Sequence, residues 1–131
     1  MKNITHAIKH VVALLVGTAG ANNGTGIDRS GYDEIKVLVS TGAATGTPTS
    51  YSVDAKLQDS ADNSSFADVS DVDITQITAD NTTATMEKIN CSTLRRYVRV
   101  VTTPDYVGGT SPKVPVAVTV LLGQAKSEPV A

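Results

Sequence analysis

The chain has no tryptophan, one phenylalanine (Phe66), one cysteine (Cys91) and no run of like charge in its 131 residues. Each shortage excludes something. With four tyrosines as the only other rings, the core has to be built from Val, Ile, Leu and Ala, and β-branched side chains of that kind fit a pleated sheet best. A single cysteine forms no internal disulfide, so the fold holds by packing alone, as in proteins assembled in a reducing compartment. Eleven basic and 13 acidic side chains leave a formal net charge of −2, scattered along the chain. No basic stripe exists to neutralise phosphates, which argues against nucleic acid as a partner. Nothing approaches the ~20 consecutive apolar residues of a bilayer-spanning helix, so no membrane partner is expected. One domain of this length buries most of its apolar surface around one core.

What is present is alternation. Tyr51, Val53, Ala55 and Leu57 fall on one side of an extended chain, and Ser52, Asp54, Lys56 and Gln58 on the other, a strand with a core face and a water face. The Asp, Asn and Ser residues of 59–65 then read as a turn, and a second strand opens at Phe66, over about 66–69 with a continuation toward Ile77. Further strands are expected at about 8–17, at 32–40, from Thr83 to Ile89, at 96–103 and at 113–122, where Val114, Val116, Val118 and Val120 alternate without a break. Pro115 cannot donate to a ladder, which places the start of the last strand at an edge or outside the sheet. Residues 17–26, 41–49 and 104–112 are Gly- and Pro-rich and read as loops.

The fold class this supports is all-β: an antiparallel two-sheet β-sandwich, with jelly-roll connectivity as one way of joining the strands. Residues 1–17 form an N-terminal arm or first strand, 18–122 the sandwich domain and 123–131 a C-terminal tail. The N-terminus imitates a secretory leader, with Lys2 and Lys9 before Val11–Val16 and Ala19-Gly20-Ala21 behind it. The apolar run is short and the lysines are spread out, which weighs against export; only in an exported protein would the Asn-x-Ser/Thr triplets at Asn23, Asn63, Asn81 and Asn90 matter.

Reactive chemistry finds few candidates. His6 and His10 are four apart, but a metal site wants a third ligand and a fixed scaffold. The 59–65 segment is dense in oxygen ligands, yet it lacks the spacing and terminal Glu of a calcium loop and reads as a hairpin turn. No phosphate loop or nucleophile elbow occurs. The expectation is therefore no catalytic residue, no metal, no cofactor and no enzyme activity. Arg95, Arg96 and Arg99 are the basic cluster, split between the two sides of a strand. Arg99 shares a side with Tyr97, on which it would stack, or it would pair with a carboxylate across an interface, so Tyr97 and Arg99 are candidate interface residues.

Three stretches resemble the capsid cement (decoration) proteins of tailed bacteriophages. Gly26-Ile-Asp28-Arg-Ser-Gly31-Tyr32-Asp-Glu-Ile35-Lys-Val-Leu-Val39 is similar to that family's opening strand. Val53 to Phe66 is similar to its hairpin of leucine, Gln or Glu, then Ser, Asp, Gly and Ser closed by an aromatic, with Asn63 where Gly is usual. Arg96-Tyr97-Val98-Arg99-Val100 resembles its late core strand. The resemblance implies a virion protein made in the host cytoplasm, bound to the capsid exterior and bridging major capsid protein subunits, as a dimer or trimer. The apolar arm, through Ile4, Ile8, Val11 and Val12, would add to a neighbour's sheet or groove. Two other readings share the fold class. A glycan-binding or tail-fibre module would need exposed rings, for which Tyr106 in the 104–112 loop is the free candidate. A tail-tube or head-completion component would form rings or stacked tubes.

Overall fold

Side chains that alternate between apolar and polar at every second position favour two sheets packed face to face, and a computed structural model shows that arrangement; it describes residues 9–15, 19–70, 72, 74–86, 89 and 91–125. The strands are β1 (Lys9–Leu15), β2 (Asn22–Asn23), β3 (Ile27–Asp28), β4 (Tyr32–Thr41), β5 (Ser50–Ser60), β6 (Ala67–Asp68), β7 (Thr83–Met86), β8 (Tyr97–Val107) and β9 (Val116–Ala125). One sheet, here sheet A, has the order β1-β9-β4-β7; the other, sheet B, has β2-β8-β5-β6, with β3 also on β8. Every pairing is antiparallel. A one-turn 3-10 helix at Cys91–Thr93 is the sole helical element among the described residues.

The topology follows from one long ribbon folded over on itself. Tyr32 faces Ala125 and Thr41 faces Val116 in sheet A; Ser50 faces Val107 and Ser60 faces Tyr97 in sheet B. The two crossings between sheets, 42–49 and 108–115, are therefore equally long, and they stay paired while they cross. Gly42 N donates to Pro115 O (2.9 Å), Thr45 and Lys113 exchange both backbone bonds (2.7 and 3.1 Å), and Thr110 N donates to Gly46 O (2.8 Å). Gly46 and Gly109 sit where the crossings touch, both at positive φ, and a Cβ on either would stand within 2.5 Å of the other crossing's backbone. Outer strands flank the ribbon on both sides: β1 then β2 and β3 along β9 and β8, and β6 then β7 along β5 and β4. This is the jelly roll.

The core lies between the sheets. Ile35, Val37 and Val39 of β4, Val53 and Leu57 of β5, Ala84 and Met86 of β7, Val98 and Val100 of β8, and Val116, Val118, Val120 and Leu122 of β9 are all buried there. The alternation expected at 113–122 is thus the core face of β9, and Pro115 stands just outside that strand.

Several boundaries differ from the sequence reading, each for a physical reason. The 17–26 loop contains β2, because its polar residues pair with β8 through the backbone alone. Strand β8 runs through Pro104 to Val107, although the proline was expected to start a loop. Pro104 O accepts from Gly20 N (3.2 Å) on the β2 side; N and O of one strand residue point the same way, so the missing N–H falls on that flank and costs the β5 pairing nothing. Strand β9 continues to Ala125, into the segment read as a tail, because β4 offers partners as far as Tyr32. The 66–77 segment covers the free edge of β5: Val69 N donates to Leu57 O (2.9 Å), and Val53 and Ile77 exchange bonds of 2.7 and 3.1 Å.

Candidate interaction surface

The two outer faces of the sandwich differ in chemistry. On sheet B, side chains of β5, β6 and β8 form a polar chain. Lys56 pairs with Asp68 (3.0 Å), and Gln58 donates to Asp68 (2.7 Å) and accepts from Arg99 Nε (2.8 Å). Arg99 then lies 4.2 Å above the centre of the Phe66 ring, and Gln76 donates to Asp54 (2.8 Å). The Gln58 and Lys56 contacts hold the Asp68 carboxyl below the usual carboxylate range, in that order of size. A face of this kind is satisfied in water.

Sheet A presents something else. In strands β4 and β9, residues alternate between core and exterior, so Leu38 and Ser40 share the outer face with Ala117, Thr119 and Leu121. Thr85 stands beside Leu38 and Thr83 beside Ser40, whose hydroxyl oxygens are 2.9 Å apart. Charge enters that face, among the described side chains, only at one end, with Glu34 and Lys36. The remainder is uncharged and made of small or aliphatic groups, half-buried except for the exposed Thr83. Uncharged and laterally continuous surface of this kind suits a protein contact.

The residues expected at an interface fall as follows. Ile4 and Ile8 lie outside the described residues. Val11 and Val12 belong to β1, which pairs with β9 of the same chain, at the register positions opposite Val120 and Thr119. Tyr97 and Arg99 are both on sheet B, but Arg99 stacks on Phe66 and not on Tyr97. The 61–66 loop folds Phe66 over β8 and reaches that guanidinium first, while Arg96 covers the Tyr97 ring at 5.1 Å. Arg95 and Arg96 each hold a carboxylate of this chain, Asp59 at 2.9 Å and Asp28 at 2.9 Å. The sheet A face was missed. Its signal was present at 117, 119 and 121, where the water-facing positions of a strand carry no charge.

Tyr106, expected as a free ring in a loop, belongs to β8. Its hydroxyl accepts from Val114 N (2.8 Å) and its ring centroid is 5.9 Å from that of Tyr51. Tyr51 in turn donates to Asp80 (2.7 Å), whose same oxygen accepts from Ala44 N (3.1 Å). Burial, with Asp80 adding to it, pushes the Tyr51 phenol up to about 12. These rings brace the crossing between sheets instead of standing out as a platform for sugar.

The 59–65 turn is closed by Asp62 as an Asx-type turn. One carboxylate oxygen accepts from Ser60 Oγ (2.8 Å), Ser64 N (3.0 Å) and Ser65 N (3.0 Å). The Ser65 and Ser60 bonds lead in holding Asp62 down to about 2. Oδ1 is thus committed to the turn. An open groove of about 550 Å³ runs between residues 74–77 and 82–85, lined by Ile, Thr, Ala and Gln; these side chains supply no acid or base to activate a threonine hydroxyl. Among the described residues no group of three or more His, Cys, Asp or Glu is placed to hold a metal ion, and no helix is long and apolar enough to cross a membrane.

No family model matches the chain, and no curated protein does. Among solved structures it is similar to the crystal structure of SPBc2 prophage-derived protein YomS, at 13% identity over 86% of this chain and 95% of that one, with a TM-score of 0.40.

Proposed function

We propose that this jelly roll is a non-enzymatic structural protein of a tailed-phage virion, one that binds the outside of the capsid and cements neighbouring major capsid protein subunits. The observation that carries the reading is the contrast between the two outer faces: sheet B is closed by its own ion pairs and hydrogen bonds, and the described part of sheet A is uncharged beyond Glu34 and Lys36 at one end. The three motif resemblances support it, and so does the scaffold, in which two paired crossings tie the sheets together against shear. Contact through the sheet A face suits a shell built of repeats, where many identical, individually weak contacts combine. A closed dimer or trimer at a symmetry axis would present several such faces at once.

The test is direct. Purified protein is mixed with expanded capsids that lack it and then sedimented. Cosedimentation at a fixed ratio to the major capsid protein, with greater resistance of the loaded capsids to heat, is the expected result. Protein left in the supernatant at micromolar concentration would defeat the proposal.

A further inference from the structure

Asn23-Gly24 is the one Asn-Gly pair in the chain, and the fold explains the glycine. A Cβ at position 24 would stand 2.7 Å from Val100 O, so the close approach of β8 leaves room for no other residue. The packing that demands Gly24 also places beside Asn23 the neighbour that favours its self-modification. Glycine has no side chain to shield its amide nitrogen. That nitrogen attacks the Asn Cγ and gives up its proton to base, the Cγ–Nδ2 bond breaks, and ammonia leaves. Water then opens the resulting succinimide to aspartate or isoaspartate.

In the closed fold the reaction is held off. Gly24 N donates to Val100 O at 2.8 Å, and pairing in β2 keeps Asn23 extended, away from the geometry that brings Cγ over the next nitrogen. The guard is short, however. Strand β2 has two residues, paired at Asn22 with Thr102 and Asn23 with Val101, and Asn23 is exposed. Short flanking pairings of this kind open locally, without global unfolding. The other described asparagines, Asn22, Asn63 and Asn81, are each followed by a residue whose side chain shields its amide nitrogen. Asn63 precedes Ser64, whose N donates to Asp62 (3.0 Å), and Asn81 precedes Thr82, whose N donates to Thr41 Oγ1 (3.1 Å).

We infer that Asn23 is a self-modification site, converted slowly to aspartate or isoaspartate from the small fraction of molecules in which β2 has lifted from β8. Either product adds a negative charge to a chain already at −2. Isoaspartate also inserts a methylene into the backbone of β2 and breaks its register with β8, so the modified flank stays open.

The experiment is peptide mapping by mass spectrometry after incubation of the full chain in mildly alkaline buffer, folded and in denaturant. Asn23 is expected to be the first of the described asparagines converted, at a rate roughly tenfold to a thousandfold below its rate in denaturant, set by local opening. Ile27→Ala, which weakens the adjoining β3 pairing, is expected to raise that rate about threefold or more. Asn23→Gln, whose longer side chain does not close the same ring, should abolish the modification at this position and leave the melting temperature unchanged. Conversion of Asn63 or Asn81 first, equal rates in native buffer and denaturant, or a rate matching the globally unfolded fraction would each overturn the inference.

Discussion

Arg95 holds Asp59 from two directions: its backbone N–H donates to Asp59 Oδ2 (3.1 Å), and its guanidinium donates to Oδ1 (2.9 and 3.1 Å) and to the Asp59 carbonyl (2.8 Å). Asp59 is 8% exposed and lies at the end of β5, where the ribbon opens into the 61–96 excursion. The clamp therefore ties the return of that excursion to its departure. Arg29 adds to it by donating to the carbonyls of Arg95 (2.8 Å) and Leu94. Asp59→Ala removes the carboxylate from the Arg95 N–H and guanidinium while leaving the bond to the Asp59 carbonyl and those of Arg29 in place, and a loss of about 2–3 kcal/mol is expected. Asp59→Asn keeps an acceptor and should lose about half as much. Urea midpoints at unchanged slope measure both.

Thr102 offers a test of opposite sign. It is fully buried in β8, and its hydroxyl has no hydrogen-bond partner among the described residues. A buried polar group without a partner carries its desolvation cost uncompensated. Valine has nearly the same shape and no such group. Thr102→Val is expected to stabilise the fold by about 1 kcal/mol, seen as a higher midpoint of thermal or urea unfolding.

Gly26 and Asn63 form a pair that a double-mutant cycle can isolate. A Cβ on Gly26 would lie 1.9 Å from Asn63 Oδ1 and 3.2 Å from Phe66 Cζ. Asn63 itself sits at φ 60°, in the left-handed region that glycine adopts without strain. Gly26→Ala should destabilise by about 1–2 kcal/mol through overpacking. Asn63→Gly alone should be nearly neutral, because lost packing is offset by relief at positive φ. The double mutant should recover about 1 kcal/mol of the Gly26→Ala loss; simple additivity would mean that the loop and β3 do not touch in solution.

Position 63 also shows what was readable in advance. Asn is the residue other than Gly that most readily enters the left-handed region, so its place in a motif where glycine is usual already marked a tight turn. The alternation of Val114 to Val120 and of Tyr51 to Leu57 placed two core strands, because period-two patterning is a local property. Non-local facts were beyond that reach. Whether Pro104 ends a strand depends on which neighbour its N–H would have met, and whether Tyr106 is free depends on Val114 N being beside it. Phe66 reaching Arg99 before Tyr97 does is likewise decided by the path of a loop. The extent of the sheet A face shows only once β4, β7 and β9 are side by side, since the uncharged positions 117, 119 and 121 of one strand do not say what flanks them.

The Tyr51–Asp80 bond sets an alkaline limit. Its folded pKa, about 12, lies above the ordinary value of 10.0, so the fold disfavours the phenolate. Stability from this group is fully present below the ordinary value and is lost as the pH rises from about 10 through about 12. Phenolate absorbance should show a late-ionising tyrosine, accompanied by unfolding over the same interval. Tyr51→Phe removes its late step, at a loss of about 1 kcal/mol near neutrality from the missing bond to Asp80. Burial raises the Tyr106 phenol as well, so the count of late-ionising tyrosines should fall by one in Tyr51→Phe; an unchanged count would mean that the assignment to Tyr51 is wrong.

Charge placed on each outer face separates surface from scaffold. Leu38→Lys puts an ammonium in the middle of the sheet A face and Leu121→Lys puts one beside Lys36, in both cases where a long side chain can still reach water in the free protein. Each should change folding stability by about 1 kcal/mol or less. In a contact that covers this face the same charge is desolvated without a partner, and capsid binding should fall by about tenfold or more for each substitution. Gln76→Lys makes the same change of charge on the sheet B side, beside Asp54, and should leave binding within about twofold. Sedimentation with capsids at a series of protein concentrations measures all three. Equal losses from both faces would mean that charge in general is at fault. No loss from Leu38→Lys or Leu121→Lys would remove sheet A from the contact and leave the strand edges at β1 and β7 as the surfaces to examine.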